Sequence, residues 1–330
     1  NADYSGNCEL WQHLWKGESL AFFSYNFQAS RRLSLKTRIG LDWLQYHLHG
    51  NNSFSQLSPR INTNVQYQLN KGMLLWSFNF VNSNHGMDII NRAMIQVNSH
   101  MMEKGMPELK KSHDINTYLY YMGRFNRLSV SAIGQFRYNH HPVTDDYYLD
   151  EANGKIVKTY SNGGNAQYYS AILALQYKLC KFANLSGDIR YSHAEVTTTW
   201  SKHNNNLTGN LGLNMFMGDF ALKPYLHFGK KSLDEAALVI SKTPIDYGMS
   251  CSYSRGNLYV ELQAVSPFKK QEKRYWLDLP IYSYSKSIKD QTASQYASIK
   301  VAYSFDFGRK TQKVEKDVNK NINSSLLRVE

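Results

Sequence analysis

Apolar and polar residues alternate along most of this chain. Ile61, Thr63, Val65, Tyr67 and Leu69 are interleaved with Asn62, Asn64, Gln66 and Gln68. Leu128, Val130, Ala132, Gly134, Phe136 and Tyr138 alternate mainly with Ser129, Ser131, Gln135 and Arg137, and Ile299, Val301, Tyr303, Phe305 and Phe307 with Lys300, Ala302, Ser304 and Asp306. Successive side chains of a strand point to opposite faces, so each segment has one apolar and one polar face. The pattern predicts thirteen strands, near 18–28, 33–48, 58–69, 73–83, 113–124, 127–139, 165–178, 182–196, 206–216, 219–229, 245–254, 257–266 and 292–307. Helical spacing is confined to 233–240, which predicts one short helix.

The connections alternate between tight and long. Those at 29–32, 70–72, 124–126, 179–181, 217–218 and 255–256 are tight, and those at 49–57, 84–112, 140–164, 197–205, 230–244 and 267–291 are long. Many strands exceed the roughly 9–11 residues that cross a bilayer at a tilt, whereas strands of soluble proteins run about 5–6 residues. Trp43, Tyr46, Trp76, Tyr118, Tyr120, Tyr121, Tyr168, Tyr169 and Tyr191 recur near strand ends, where an amphipathic ring suits a membrane interface. A soluble β-sandwich accounts for the alternation but not for the strand lengths or the loop asymmetry. The expected fold is all-β, an antiparallel transmembrane β-barrel with about thirteen strands present, lying in the outer membrane of a Gram-negative cell.

Parity sharpens this expectation. With the short turns on the periplasmic side, the first and last strands both run downward. Single-chain bacterial barrels have even strand numbers, so thirteen strands beginning with a downward one do not close alone. The chain is expected to supply strands ten to twenty-two of a 22-stranded, plugged barrel. Residues 1–17 are then an extracellular loop remnant, 18–307 the barrel, and 308–330 a polar periplasmic tail. The chain opens on Asn1 and not Met, so its N-terminus is either processed or missing, and it is parity that places further strands upstream.

Composition narrows the function classes. Lys and Arg number 38 against 26 Asp and Glu, a formal charge of +12, yet charged residues are only 19% of the chain and aromatics 14%. The basic residues are spread thinly, without the single stripe that nucleic-acid binding needs. Cys8, Cys180 and Cys251 form no closed disulfide framework and no CxxC pair. No GxSxG, HExxH, phosphate-binding loop or GxGxxG is present. The reading therefore includes no enzyme activity, no catalytic residues and no cofactor. His47 and His49, with His140 and His141, lack carboxylate or cysteine partners at ligand spacing. They read as solvated positions, and no metal site is expected. Asp145 and Asp146 read as a solvated loop tip. Lys36, Arg38 and Asp42 share one strand face, as do Asp188 and Arg190. If the apolar faces meet lipid, these five line the lumen.

Three local patterns carry a resemblance. Gly105-Met106-Pro107-Glu108-Leu109-Lys110 precedes Ser112-His113-Asp114 and a strand; Tyr160-Ser161-Asn162-Gly163-Gly164 opens a downward strand; and Val265-Ser266-Pro267-Phe268 ends the penultimate strand. Together they resemble the barrel of TonB-dependent receptors in the form common in Bacteroidetes, whose stretches read GNPxLKPE, yeNGG and NPF. Met106, Lys111 and Ser112 depart from the first pattern. Lys300, Ala302, Phe305 and Phe307 resemble the terminal strand signature read by the barrel assembly machinery, with Ala302 where Gly is usual. The resemblance covers nearly the whole chain and only the C-terminal part of such a receptor. It implies import of a scarce nutrient, siderophore- or glycan-like, captured by loops 84–112, 140–164 and 267–291. Energy would come from the TonB complex through an N-terminal part that this sequence lacks, as it lacks the plug. A passive porin of twelve or fourteen strands and an outer-membrane binding or anchoring protein are the alternatives. Implied partners are outer-membrane lipids, the assembly machinery, TonB and the nutrient ligand.

Overall fold

The computed structural model describes residues 15–48, 52–83, 85–268, 271–289 and 295–305. Strands β1 (Trp15–Gln28), β2 (Leu33–Leu48), β3 (Asn52–Leu69) and β4 (Gly72–Ser83) come first. A helix of four residues, α1 (Met87–Ile90), and the short strands β5 (Met94–Asn98) and β6 (Met101–Lys104) follow. Next come β7 (Ser112–Phe125), β8 (Leu128–His140), β9 (Thr144–Asp150) and β10 (Lys155–Ser161). The chain continues through β11 (Asn165–Cys180), β12 (Ala183–Thr197), β13 (Ser201–Met217) and β14 (Phe220–His227). The last elements are β15 (Lys230–Leu233), β16 (Ile240–Thr243), β17 (Asp246–Arg255), β18 (Leu258–Val265), β19 (Lys273–Asp278), β20 (Ser283–Ile288) and β21 (Tyr296–Tyr303).

Thirteen strands form one antiparallel wall in the order β1-β2-β3-β4-β7-β8-β11-β12-β13-β14-β17-β18-β21. These are the thirteen strands expected from alternation. Each long strand pairs with the next one along the chain, so the wall is a meander. Its tight turns gather at one rim, where Asn126, Gly218 and Gly256 take positive φ, the backbone conformation that a two-residue hairpin turn demands. The other rim carries the long connections.

Register gives the wall two faces of opposite character. Ile39, Ile61 and Phe80 stand in one cross-strand row, and Leu173, Ile189 and Gly209 in another. Large apolar residues of this outward face, such as Ile39, Leu41, Ile189, Leu211, Leu262 and Ile299, are exposed. The opposite face carries Arg38, Asn62 and Asn79 in one row and Asp188 and Asn210 in another. It lines a trough of about 680 Å³ bounded by Ser131, Gln176, Asp188, Asn210, Lys223 and Glu261. An exposed apolar face this extensive is the mark of a lipid-facing surface. Tryptophans on it satisfy their indole N–H across the strands: Trp43 donates to Ser55 Oγ at 2.8 Å and Trp76 to Thr117 Oγ1 at 3.0 Å.

The connections depart from expectation. They are not plain loops. They build two further sheets of four strands, β5-β6-β10-β9 and β15-β16-β19-β20. Period-two runs of four to seven residues are too short to stand out in a sequence. The expected helix over 233–240 is absent: Leu233 and Ile240 face each other across β15 and β16, and Asp234 N donates to Val239 O at 2.8 Å to close the turn. Their apolar spacing reflects a tight hairpin whose tip residue, Leu238, is buried. Two connections expected to be long are short, because β3 begins at Asn52 and β13 at Ser201. Polar residues at Asn52, Ser53, Asn204 and Asn205 hid those strand extensions. β1 begins at Trp15, slightly before the expected 18. Residues 1–14 and 306–330, with Phe307, the expected tail and nearly all of the loop remnant, lie outside the described residues.

Candidate functional site

The candidate site is the lobe built by the long connections, together with the polar face beneath it. Its centre is a buried hydrophobic cluster of Tyr147, Ala166, Val196, Leu238, Leu277 and Leu279. Tyr147 comes from the first loop sheet, Leu277 from the second, and Ala166 and Val196 from wall strands β11 and β12. The lobe is thus packed onto the wall rather than tethered to it. Asp145 N donates to Ala236 O at 2.7 Å, joining the two sheets through their backbones.

Charges inside the first sheet are arranged around Lys158. Its Nζ lies 3.3 Å from Asp145 Oδ2 and 3.5 Å from Glu103 Oε1. Tyr160 donates its hydroxyl to Glu103 at 2.7 Å. Burial pushes the Asp145 carboxyl up to about 6, against the opposing pull of Lys158. Burial disfavours the Lys158 ammonium, but Asp145 and Glu103 outweigh it and its pKa rises. The expected solvated tip is corrected here. Asp145 is buried, and Asp146 accepts from the Trp200 indole at 2.9 Å and the Thr199 hydroxyl at 3.3 Å. Sequence reasoning missed this cluster because its members come from 103, 145 and 158–160.

The lobe also reaches into the polar side of the wall. Ile90 of α1 packs with Leu44 and Tyr46 of β2, and the Tyr46 hydroxyl donates to His85 O. Beneath it, Arg60 pairs with Asp42, and its guanidinium lies 3.7 Å from Glu18. Arg137 on β8 pairs with Glu235 in the β15–β16 turn. On the second sheet, Lys231, Lys242 and Arg274 stand in one cross-strand row. Glu272 accepts from Arg274 at 2.9 Å and Ser287 at 2.7 Å, and these bonds hold its carboxyl at about 2.

Two of the three sequence motifs meet. Asn162 donates to Lys110 O at 2.6 Å and accepts from Lys110 N at 3.1 Å. His85 Nε2 approaches the same carbonyl at 2.9 Å. A Cβ on Gly105 would sit 2.2 Å from Asn91 O, and one on Gly164 would sit 1.7 Å from Thr197 O. Both positions require a bare backbone, whereas Gly163 faces open space. Pro107 and Leu109 lie on the approach to Lys110, between β6 and β7. Pro267 belongs to a separate network beyond β18. Gln295 Nε2 donates to Pro267 O at 3.1 Å, while Ser266 donates to Asp246 and accepts from Gln271. Phe268 itself is 89% exposed.

The remaining expected residues are placed as follows. Lys36, Arg38 and Asp42 lie on the polar face of β2, with Arg38 donating to Ser24 Oγ at 3.3 Å. Asp188 and Arg190 lie on that face of β12, with Asp188 accepting from Asn210 at 2.9 Å. Lys300 faces Glu261 across β18 and β21, and its Nζ sits 5.9 Å from the Tyr259 ring centre. Ala302 follows on the same face, and Phe305 is 70% exposed. His47 lies on β2, separated from His140 on β8 by three strands, and His49 lies outside the described residues. Among the described residues, no three of His, Cys, Asp or Glu are grouped to hold a metal ion.

Known proteins agree with this geometry at the level of fold. The copper transporter OprC superposes with a TM-score of 0.62 at 12% identity, over 78% of this chain and 43% of its own. The FrpB iron transporter from Neisseria meningitidis gives 0.58 at 10%, over 87% and 44%. The siderophore receptor PirA from Pseudomonas aeruginosa gives 0.53 at 10%, over 84% and 57%. The fold is an outer-membrane β-barrel wall. The chain spans about half the length of these solved structures. No family model matches the chain, and no curated protein matches its sequence.

Proposed function

We propose that this chain is part of the barrel of a TonB-dependent-type outer-membrane transporter, with the lobe as its ligand-capturing surface. The observation that carries this reading is the division of the wall. One face is apolar and exposed, the other is polar and troughed, and the long connections fold into one packed lobe at a single rim. Lipid on one side and water or a plug on the other account for both faces. A wall closed around a channel needs β1 and β21 joined through further strands, and a 22-stranded barrel with a plug fits this need. Lys36, Arg38, Asp42, Asp188 and Arg190 then line the lumen. Lys300, Ala302, Phe305 and Phe307 then present the assembly signal to the barrel assembly machinery. TonB is the implied energy source and the outer membrane the location. The three solved relatives are named for copper, iron and siderophore. A nutrient chelate or glycan is the proposed cargo here.

Uptake tests the proposal. Cells carrying the full-length protein are offered copper, ferric catecholate and hydroxamate chelates, and oligosaccharides, with and without a protonophore. Accumulation of one class, abolished by the protonophore, is the expected result. Accumulation indifferent to the protonophore makes the protein a passive porin. Binding without accumulation makes it an anchoring or adhesive protein.

A further inference from the structure

On the outward face near the lobe rim, the same side-chain couple occurs three times. Asn82 and His113, Asn165 and His140, and Asn205 and His193 are each direct cross-strand partners. In every couple the amide Oδ1 faces the ring Nδ1, at 2.7 Å for His140 and 2.6 Å for His193. An amide oxygen only accepts, so Nδ1 carries the proton, and in the neutral ring Nε2 is left as an acceptor, most openly at His113 and His140, since His193 Nε2 already faces Glu195. The couples are flanked by rings. Phe80 stacks on His113, Tyr138 on His140, and Tyr169 lies 6.0 Å from His193.

Their height is also shared. His113, His140 and His193 lie ten to twelve residues from the tight-turn ends of their strands, at Phe125, Leu128 and Ala183. About 9–11 tilted residues cross the hydrocarbon layer, so the couples sit where acyl chains give way to headgroups. An ordinary aromatic belt needs only Trp and Tyr there. Oriented imidazole acceptors add hydrogen-bonding direction. Charge is sparse: Glu195 Oε2 lies 3.7 Å from His193 Nε2, and the Lys111 ammonium is spent on Leu57 O at 2.9 Å. Acceptors between flat rings match hydroxyl donors on a sugar rather than phosphate.

We infer that this Asn–His belt binds the sugar headgroup of a glycolipid in the outer leaflet. The inference rests on the proposal that the outward face meets lipid, and on the continuity of the belt with that apolar face. The hydroxyls of the sugar donate to Nε2, and the flanking rings cover its apolar faces.

The full-length protein in nanodiscs tests this. Native mass spectrometry counts the lipids retained when galactosyl diacylglycerol, phosphatidylcholine and phosphatidic acid are supplied together. A net hydrogen bond is worth a factor of about five, so three couples sharing one to two lipids give a preference of roughly tenfold for the galactolipid. The triple variant H113F/H140F/H193F keeps the rings and is expected to show no preference while retaining heat-modifiable mobility. Equal retention by the parent protein, or an unchanged preference in the triple variant, overturns the inference. Preference for phosphatidic acid also overturns it, in favour of protonated histidines on phosphate. Should the triple variant not fold, N82A, N165A and N205A taken singly release the tautomer, and each is expected to weaken the preference. Quenching of tryptophan fluorescence by brominated acyl chains separates the two readings. Without quenching the outward face does not meet lipid; with quenching but no preference, the glycolipid inference alone fails.

Discussion

The side chain of Asn162 holds both backbone groups of Lys110, donating to its carbonyl at 2.6 Å and accepting from its amide at 3.1 Å. Fifty-two residues separate the two along the chain. This clamp ties the segment leading into β7 to the segment leading into β11, where the first loop sheet meets the wall. Asn162→Leu removes the partner of the Lys110 amide and leaves the Lys110 carbonyl only its contact with His85. A cost of about 1–3 kcal/mol per buried polar group is expected. Faster proteolysis within 84–111, with an intact wall by heat-modifiable mobility, would show it.

Gly163 and Gly164 differ sharply despite being neighbours. Gly164→Ala would place a Cβ 1.7 Å from Thr197 O, a backbone atom held by strand pairing. This variant is expected to lose most of its folded, outer-membrane-inserted population. Gly163→Ala meets nothing within 4 Å and is expected to insert at parental levels. Folded fractions on unheated gels compare them directly.

The two faces of the wall answer charge differently. Ile189 on the outward face is 52% exposed, and Ile189→Lys places an ammonium in lipid at about 2–4 kcal/mol if it lies near the midplane. Asn210→Lys on the polar face puts the same charge beside Asp188 and is expected to cost about 1 kcal/mol or less. Equilibrium urea unfolding in lipid vesicles measures the difference. Equal costs would remove the lipid-facing assignment.

Acidity acts on the lobe through Asp145. Its folded pKa, about 6, lies above the ordinary carboxyl value near 3.9. A raised folded value means the stabilising contribution is complete below the unfolded pKa and is lost as pH climbs through the folded one. Lys158 stays protonated throughout this window, since its own pKa is raised. Hydrogen-exchange protection over 144–161, corrected for intrinsic rates, is therefore expected to fall between about pH 4 and pH 7. Asp145→Asn should flatten that dependence.

Leu277 fastens the second loop sheet to the core of the lobe. It is 1% exposed and lies among Tyr147, Val196 and Leu238. Leu277→Ala is expected to cost about 2–5 kcal/mol in the lobe. Protection should fall in β15, β16 and β19 while the wall strands keep theirs.

The thirteen wall strands were legible from alternation alone, because lipid on one side and water on the other impose period two over ten or more residues. The tight turns were legible too, through Asn126, Gly218 and Gly256. The motif residues Asn162, Gly164 and Gly105 stood out as types, but their work did not: a clamp on Lys110 and two close backbone approaches exist only once distant segments meet. The loop sheets were hidden for a related reason. Strands such as Lys230–Leu233 and Ile240–Thr243 are too short to show a period, and the turn between them is held when its Leu238 packs with Leu277, which arrives from elsewhere in the chain. Asp145 shows the same limit from the side of charge. A polar pair in a loop reads as solvated until Lys158, Glu103 and a packed core surround it. Alternation along a strand is a local response to two solvents, and the sequence carries it in full. Burial, clamping and shifted acidity depend on which segments come together, and only the tertiary structure decided them.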